Sequence, residues 1–118
     1  MIPAPIKATV TRPALDALDI RIGTILKVED VRKSAKLVRL VVSFGDHTRT
    51  ILAALKKERA NAAGELQGRQ ALFVVNLEPR RMAGEVSEGM LFDLGYEDGI
   101  VPVLAVPERP VPDGTRAG

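Results

Sequence analysis

The residues of this chain best suited to chemistry are cations, and they fall in two clusters. Arg32, Lys33, Lys36 and Arg39 lie in or beside the stretch VRKSAKLVR, and Arg80 and Arg81 lie in NLEPRRMAGEVSEGML, residues 76–91. A guanidinium presents paired N–H donors that match phosphate oxygens, and an ammonium adds a compact point charge. Pooled at one rim, these cations would suit a phosphate chain and displace its condensed counterions. Around the arginine pair, Asn76 offers a donor and an acceptor to a base edge or a backbone, and Ser87 suits either a phosphate or its own loop. Met90 presents a flexible apolar surface to an unstacked base or to a neighbouring core, and Gly89 admits a close backbone approach. Taken singly, each of these residues also suits an ordinary loop; their combination sets the segment apart.

Catalytic chemistry has no comparable set. His47, the single histidine, stands between Asp46 and Thr48 at an expected hairpin tip, and the serines are Ser34, Ser43 and Ser87, with no spacing that suggests a nucleophile and base. Glu29 and Asp30 are neighbours on a strand, so their carboxylates point to opposite faces and do not make an acid and base pair. Nucleotide-loop and dinucleotide fingerprints are missing, as is any metal-ligand spacing, and the chain has no cysteine. The expectation is a binding protein with no catalytic residue, cofactor or metal.

The elements that must position the cations are mainly strands. IRIGTILKVEDV alternates, with Ile20, Ile22, Leu26 and Val28 expected on one face, Arg21, Ile25 and Lys27 on the other, and a bulge or bend at Gly23. LVRLVVSFG and TRTILAAL flank Gly45, Asp46 and His47, a hairpin signal. LKKERANAAGEL reads as a short helix stopped at Gly64. GRQALFVVNL and GMLFDLG supply two more strands with the arginine loop between them. RPALDALD, residues 12–19, predicts a helical entry clip, and the proline-broken GIVPVLAVPERPVPDGTRAG predicts an edge extension. Three strands, a short helix and two strands is the order of an all-β, five-stranded oligonucleotide-binding (OB-fold) barrel, with the helix between strands 3 and 4. The 118 residues, 46% apolar, suit one domain, its core spanning about 15–95 and residues 96–118 forming the extension.

Charge separates these parts. Residues 1–92 hold 15 of the 17 Lys and Arg against 10 of the 15 Asp and Glu, a balance of about +5, and residues 93–118 hold 2 against 5, about −3. The three Phe fall inside predicted strands, which disfavours a generic single-strand binder that stacks bases on exposed rings and favours a folded RNA. No apolar run approaches a membrane span or a signal peptide, so a cytoplasmic protein with no membrane partner is expected.

LDIRIGTILKVE and ELQGRQALFVVNLEPRRMAGEVSEGMLF, with the intervening helix, resemble the tRNA-binding domain family. That domain occurs in stand-alone structure-specific tRNA-binding proteins, as the C-terminal domain of methionyl-tRNA synthetases, in the phenylalanyl-tRNA synthetase β chain and in endothelial monocyte-activating polypeptide. The resemblance covers roughly residues 15–95. It implies an OB-fold whose RNA contacts are Asn76, Arg80, Arg81, Ser87 and Met90, joined by Lys36. The chain departs from the family pattern in RKSAKLVRL, which lacks the usual Pro and Asp, and in TILAALKK. The tail, with VSFG and PRRMAG, resembles the CsaA subfamily. That likeness implies a homodimer built through the N-terminal clip and C-terminal extension, and an alternative role as a protein-export chaperone binding unfolded or presecretory polypeptides.

Overall fold

Alternation in VRLVVS buries Val38, Leu40 and Val42 on one face of β2 (Val38–Ser43), and the same face of β3 (Thr48–Ala53) contributes Ile51 and Ala53. The two strands form an antiparallel hairpin in register from Val38 opposite Ala53 to Ser43 opposite Thr48. These relations come from a computed structural model that describes residues 1–57 and 59–118. β1 (Ile20–Asp30) is long enough to pair twice, its C-terminal half with β2 and its N-terminal half with β4 (Gln70–Val74), both antiparallel. β7 (Met90–Leu91) adds to β4, which makes the sheet order β3-β2-β1-β4-β7.

The two edges of that sheet meet. Glu88 N donates to Thr50 O at 2.8 Å, Thr50 N to Glu88 Oε1 at 2.9 Å and Leu52 N to Ser87 Oγ at 3.0 Å. The result is a nearly closed five-stranded antiparallel barrel of the OB type, as the element order predicts. Ile25, Leu40, Val42, Ile51, Leu66 and Phe73 are fully buried inside it. Phe44 packs edge-on against Phe73 with centroids 5.5 Å apart. Both rings are core residues, in keeping with the reading of the phenylalanines.

Four local expectations need correction. The bulge falls between Ile25 and Lys27, not at Gly23, and it reverses the phase of β1: Ile25 is buried and Leu26 is 47% exposed. Gly23 instead serves close packing. A Cβ there would lie 2.6 Å from Val42 Cγ1 and 2.8 Å from Phe44 Cε1. Gly23→Ala is therefore expected to destabilise by about 1–3 kcal/mol through overpacking, read as a lower denaturant midpoint at unchanged m value; an unchanged midpoint would mean that the barrel yields there without cost.

The helix between β3 and β4 is also shorter and later than the composition suggests. α2 spans Ala62–Leu66, with Gly64 inside it and not beyond its end. Asn61 decides the start, because its Oδ1 accepts from Gly64 N at 3.0 Å. Glu58, within the predicted helix, lies outside the described residues. Leu66 is the buried side chain of α2 and belongs to the core, and Ala62 packs against it.

The predicted fifth strand divides in two. Met90–Leu91 stays on the barrel, while β8 (Asp93–Leu94) leaves it to pair with β9 (Val103–Leu104). The proline-broken tail then runs back along the barrel: Ile22 N donates to Thr115 O, Gly114 N to Ile22 O and Ala117 N to Ile20 O at 2.8–2.9 Å. Finally, the arginine loop is a second hairpin, β5 (Arg80–Met82) with β6 (Glu85–Ser87), turning at Ala83 and Gly84 with positive φ at both. Its three-residue strands carry no apolar alternation, so composition alone reads them as loop.

At the other end, α1 (Arg12–Asp16) is capped by Thr11 and buries no residue. What ties it down is polar. Asp19 N donates to Asn76 Oδ1 at 2.7 Å and Asn76 Nδ2 to Ala17 O at 2.8 Å. Alongside, the hydrogen bond from Arg21 holds the Asp19 carboxyl below its ordinary range.

Candidate functional site

The loop between β1 and β2 is organised from outside itself. Lys56 Nζ is ion-paired with Asp30 and donates to Ser34 O at 2.8 Å and Val31 O at 3.3 Å, while Lys56 N donates to Lys36 O at 3.0 Å. Within the loop, Ser34 Oγ accepts from the amides of Lys36 and Leu37 at 3.1 and 3.0 Å. Backbone polar groups are thus satisfied internally, and the side chains of Arg32, Lys33 and Lys36 are left exposed. Lys56→Met is expected to raise amide hydrogen exchange across residues 31–37 by about tenfold, the loss of roughly 1–2 kcal/mol of local hydrogen bonding. Unchanged exchange would show that the loop holds its shape without that anchor.

The hairpin β5–β6 folds against this loop. Lys33 Nζ comes within 3.7 Å of where a side chain on Gly84 would begin. Arg39 bridges the two elements, paired with Glu29 on β1 and Glu85 on β6. Those hydrogen bonds, Glu85 first, raise the Arg39 pKa above its ordinary value. Arg39 is thereby a structural brace whose charge is already answered. Among the described residues, Arg32, Lys33, Lys36, Arg80 and Arg81 have no acidic partner.

Strand geometry separates the two arginines. Arg80 lies opposite Ser87 and Arg81 opposite Val86, so adjacent residues face opposite sides of the hairpin. Arg80, Met82 and Ser87 face a cleft of about 290 Å³ whose other walls include Leu37, Leu52, Leu55 and Leu77, with Met90 across the mouth. Arg81 and Val86 face away and are exposed.

The remaining sequence-predicted residues divide by how much of their polarity is spent. Ser87 is buried at 2% exposure; its Oγ accepts from Leu52 N and donates to Gly89 O at 2.9 Å, so it latches β3 to the strand that closes the barrel. Its hydrogen bonds thus run both to β3 and to its own loop. Asn76 is exposed, yet its carbonyl oxygen and one amide hydrogen hold the N-terminal clip. Met90 is 43% exposed and lines the cleft. Gly89 makes the close approach expected of it: a Cβ there would lie 2.8 Å from Val74 O.

Sequence reasoning overlooked Lys56, Leu77 and Met82. Lys56 sat in a presumed helix, and the other two gain meaning only when the hairpin folds over β3. No group of three His, Asp or Glu side chains is placed to hold a metal ion among the described residues, and no helix there is long and apolar enough to cross a membrane.

Residues 20–116 match the protein family described as "Putative tRNA binding domain". The match takes in the C-terminal segment that the sequence reading set apart as an extension. Among curated proteins, the chain is 39% identical over 99 residues to a methionine–tRNA ligase of Archaeoglobus fulgidus, covering 84% of this chain and 14% of that one. It is 37% identical over 112 residues to the methionine–tRNA ligase of Bacteroides fragilis, covering 95% of this chain and 16% of that one. The chain therefore spans only about one-seventh of the length of these relatives. Among solved structures, a MetRS related protein from Pyrococcus horikoshii superposes with a TM-score of 0.85 at 30% identity, over 95% of this chain and all of that one. The chaperone CsaA from Bacillus anthracis superposes with a TM-score of 0.81 at 29% identity, over 94% of this chain and all of that one.

Proposed function

Because this chain belongs to the tRNA-binding domain family, we propose that it is a non-enzymatic cytoplasmic module that binds structured RNA, most simply tRNA, through a cationic rim. The observation that carries this reading is the packing of the β5–β6 hairpin on the β1–β2 loop, with five cations that lack acidic partners among the described residues. In this reading Arg32, Lys33, Lys36, Arg80 and Arg81 meet phosphate and Met90 meets an unstacked base. Ser87 and Asn76 act by holding the hairpin and the end of β4 in place.

Homodimerisation belongs to the same proposal. Residues 1–11, outside any helix or strand, carry Ile2, Ala4, Ile6, Ala8 and Val10. Ile2, Ile6 and Val10 are 91%, 100% and 71% exposed, so this apolar segment is unburied within the chain. A second copy is the occupant that would bury it, and symmetric sites would then engage one elongated RNA with higher avidity.

A second reading, a polypeptide-binding chaperone, draws support from the likeness to CsaA and from the apolar walls of the cleft. Titration of the full chain with total tRNA and with an unfolded polypeptide, each at two salt concentrations, separates the two. The RNA reading expects tRNA affinity to drop by about 10²- to 10³-fold between 50 and 200 mM salt, as five phosphate contacts imply. Polypeptide binding indifferent to salt, with no tRNA binding, would overturn it. In the same samples, light scattering should report twice the chain mass, lost when Ile2, Ile6 and Val10 are replaced by serine.

A further inference from the structure

The cleft beneath the hairpin has chemistry that phosphate binding leaves unused. Its volume, about 290 Å³, lies at the low end for small-molecule pockets, near 300 Å³, which suits one ring system and not a strand of chain. Leu55, Leu77, Met82, Met90 and Leu91 form its apolar walls. Leu77 and Met90 remain 42% and 43% exposed, so the opening is not sealed by the chain itself. Three charged side chains line it: Arg80, Glu78 and Asp93. All three are exposed, and among the described residues none makes a hydrogen bond or ion pair.

We propose that this cleft receives one unstacked guanine base of the bound RNA, held between the methionine and leucine walls, with its edge toward Glu78 and Asp93 and its phosphate toward Arg80. The choice of base follows from donor patterns. An ionised carboxylate only accepts hydrogen bonds, two at once when two donors lie side by side. Guanine presents adjacent ring N–H and amino donors on its pairing edge. Adenine and cytosine place an acceptor nitrogen beside the amino group, and uracil flanks its single N–H with two carbonyls; each of these sets a lone pair against the carboxylate. Apolar, polarisable walls substitute for the aromatic stacking platforms that this cleft lacks. Arg80 makes the cleft continuous with the cationic rim, so the inference rests on the RNA reading above and deepens it.

The chain has only three methionines, of which Met82 and Met90 line the cleft while Met1 does not. Methyl-labelled methionine therefore provides two reporters and an internal control. With guanosine monophosphate the Met82 and Met90 signals should shift and Met1 should not. Guanosine monophosphate should bind about tenfold more tightly than the adenosine, cytidine or uridine nucleotides, the discrimination expected of one bidentate contact. Glu78→Gln with Asp93→Asn should bring that ratio close to one and leave the thermal midpoint unchanged, since among the described residues neither carboxylate makes a hydrogen bond or ion pair. Total tRNA should shift the same two signals. Salt-sensitive tRNA binding with Met82 and Met90 unmoved would overturn the base site and leave the RNA reading standing. Equal response to all four nucleotides would overturn the guanine assignment, and methyl shifts produced by an apolar peptide but by no nucleotide would assign the cleft to polypeptide. Absence of tRNA binding at low salt would remove the RNA reading itself.

Discussion

Replacing Arg80 and Arg81 together by alanine is expected to weaken tRNA binding about 10²-fold at physiological salt, the equivalent of two charge-assisted contacts. It should also flatten the dependence of log K on log salt by about 2, because two phosphate contacts no longer release counterions. The two side chains face opposite sides of the hairpin and share no partner, so their single effects should add within a few tenths of a kcal/mol. The fold should be indifferent, since both are exposed and unpaired among the described residues. An affinity loss with an unchanged salt slope would place the arginines outside the phosphate contact and leave them an indirect role. Arg39 provides the contrast. Its charge is met by Glu29 and Glu85, so Arg39→Ala should change the salt slope little while loosening the hairpin from the loop.

Ser87→Ala should act on stability and not on charge. The Ser87 hydroxyl is the acceptor for the buried Leu52 amide at 3.0 Å. Its removal strands a donor inside the barrel wall at the point where β3 meets the closing strand. A stranded buried donor costs about 1–3 kcal/mol, which corresponds to a fall of roughly 10 °C in Tm for a chain of this size. The salt slope of tRNA binding should stay as in the wild type. Ser87→Thr, which keeps the acceptor, tests whether the hydroxyl or the space matters. A Ser87→Ala protein with native Tm and a slope reduced by about 1 would reassign the hydroxyl to a phosphate.

These two expectations differ because residues nearby in sequence were given different tasks by the fold. In the sequence Arg80, Arg81 and Ser87 belong to one segment with one polar character. Pairing of β5 with β6 puts Arg81 on the outer face and Arg80 with Ser87 on the inner one, and the close approach of β3 then buries Ser87 alone. The hairpin was hidden in the sequence because three-residue strands without apolar alternation carry no periodic signal. Lys56 was hidden for a related reason. Its three side-chain acceptors, on Asp30, Val31 and Ser34, come from the end of β1 and the loop after it, more than 20 residues earlier.

What the sequence by itself determined is the barrel and its order: alternation in β2 and β3, the hairpin between them and the β-prone run of β4 are local properties with a period of two. It also determined the cationic character of the two segments that meet, and the family resemblance followed from the arginine segment. Only the tertiary structure decided the phase of β1, where a one-residue bulge exchanged Leu26 for Ile25 in the core. It decided too that Asn61 starts α2 late within the stretch read as helix, and which polar groups remain free to meet a ligand. Such outcomes depend on partners far apart along the chain, whose competition for the same hydrogen bonds and the same volume is settled only when the barrel closes.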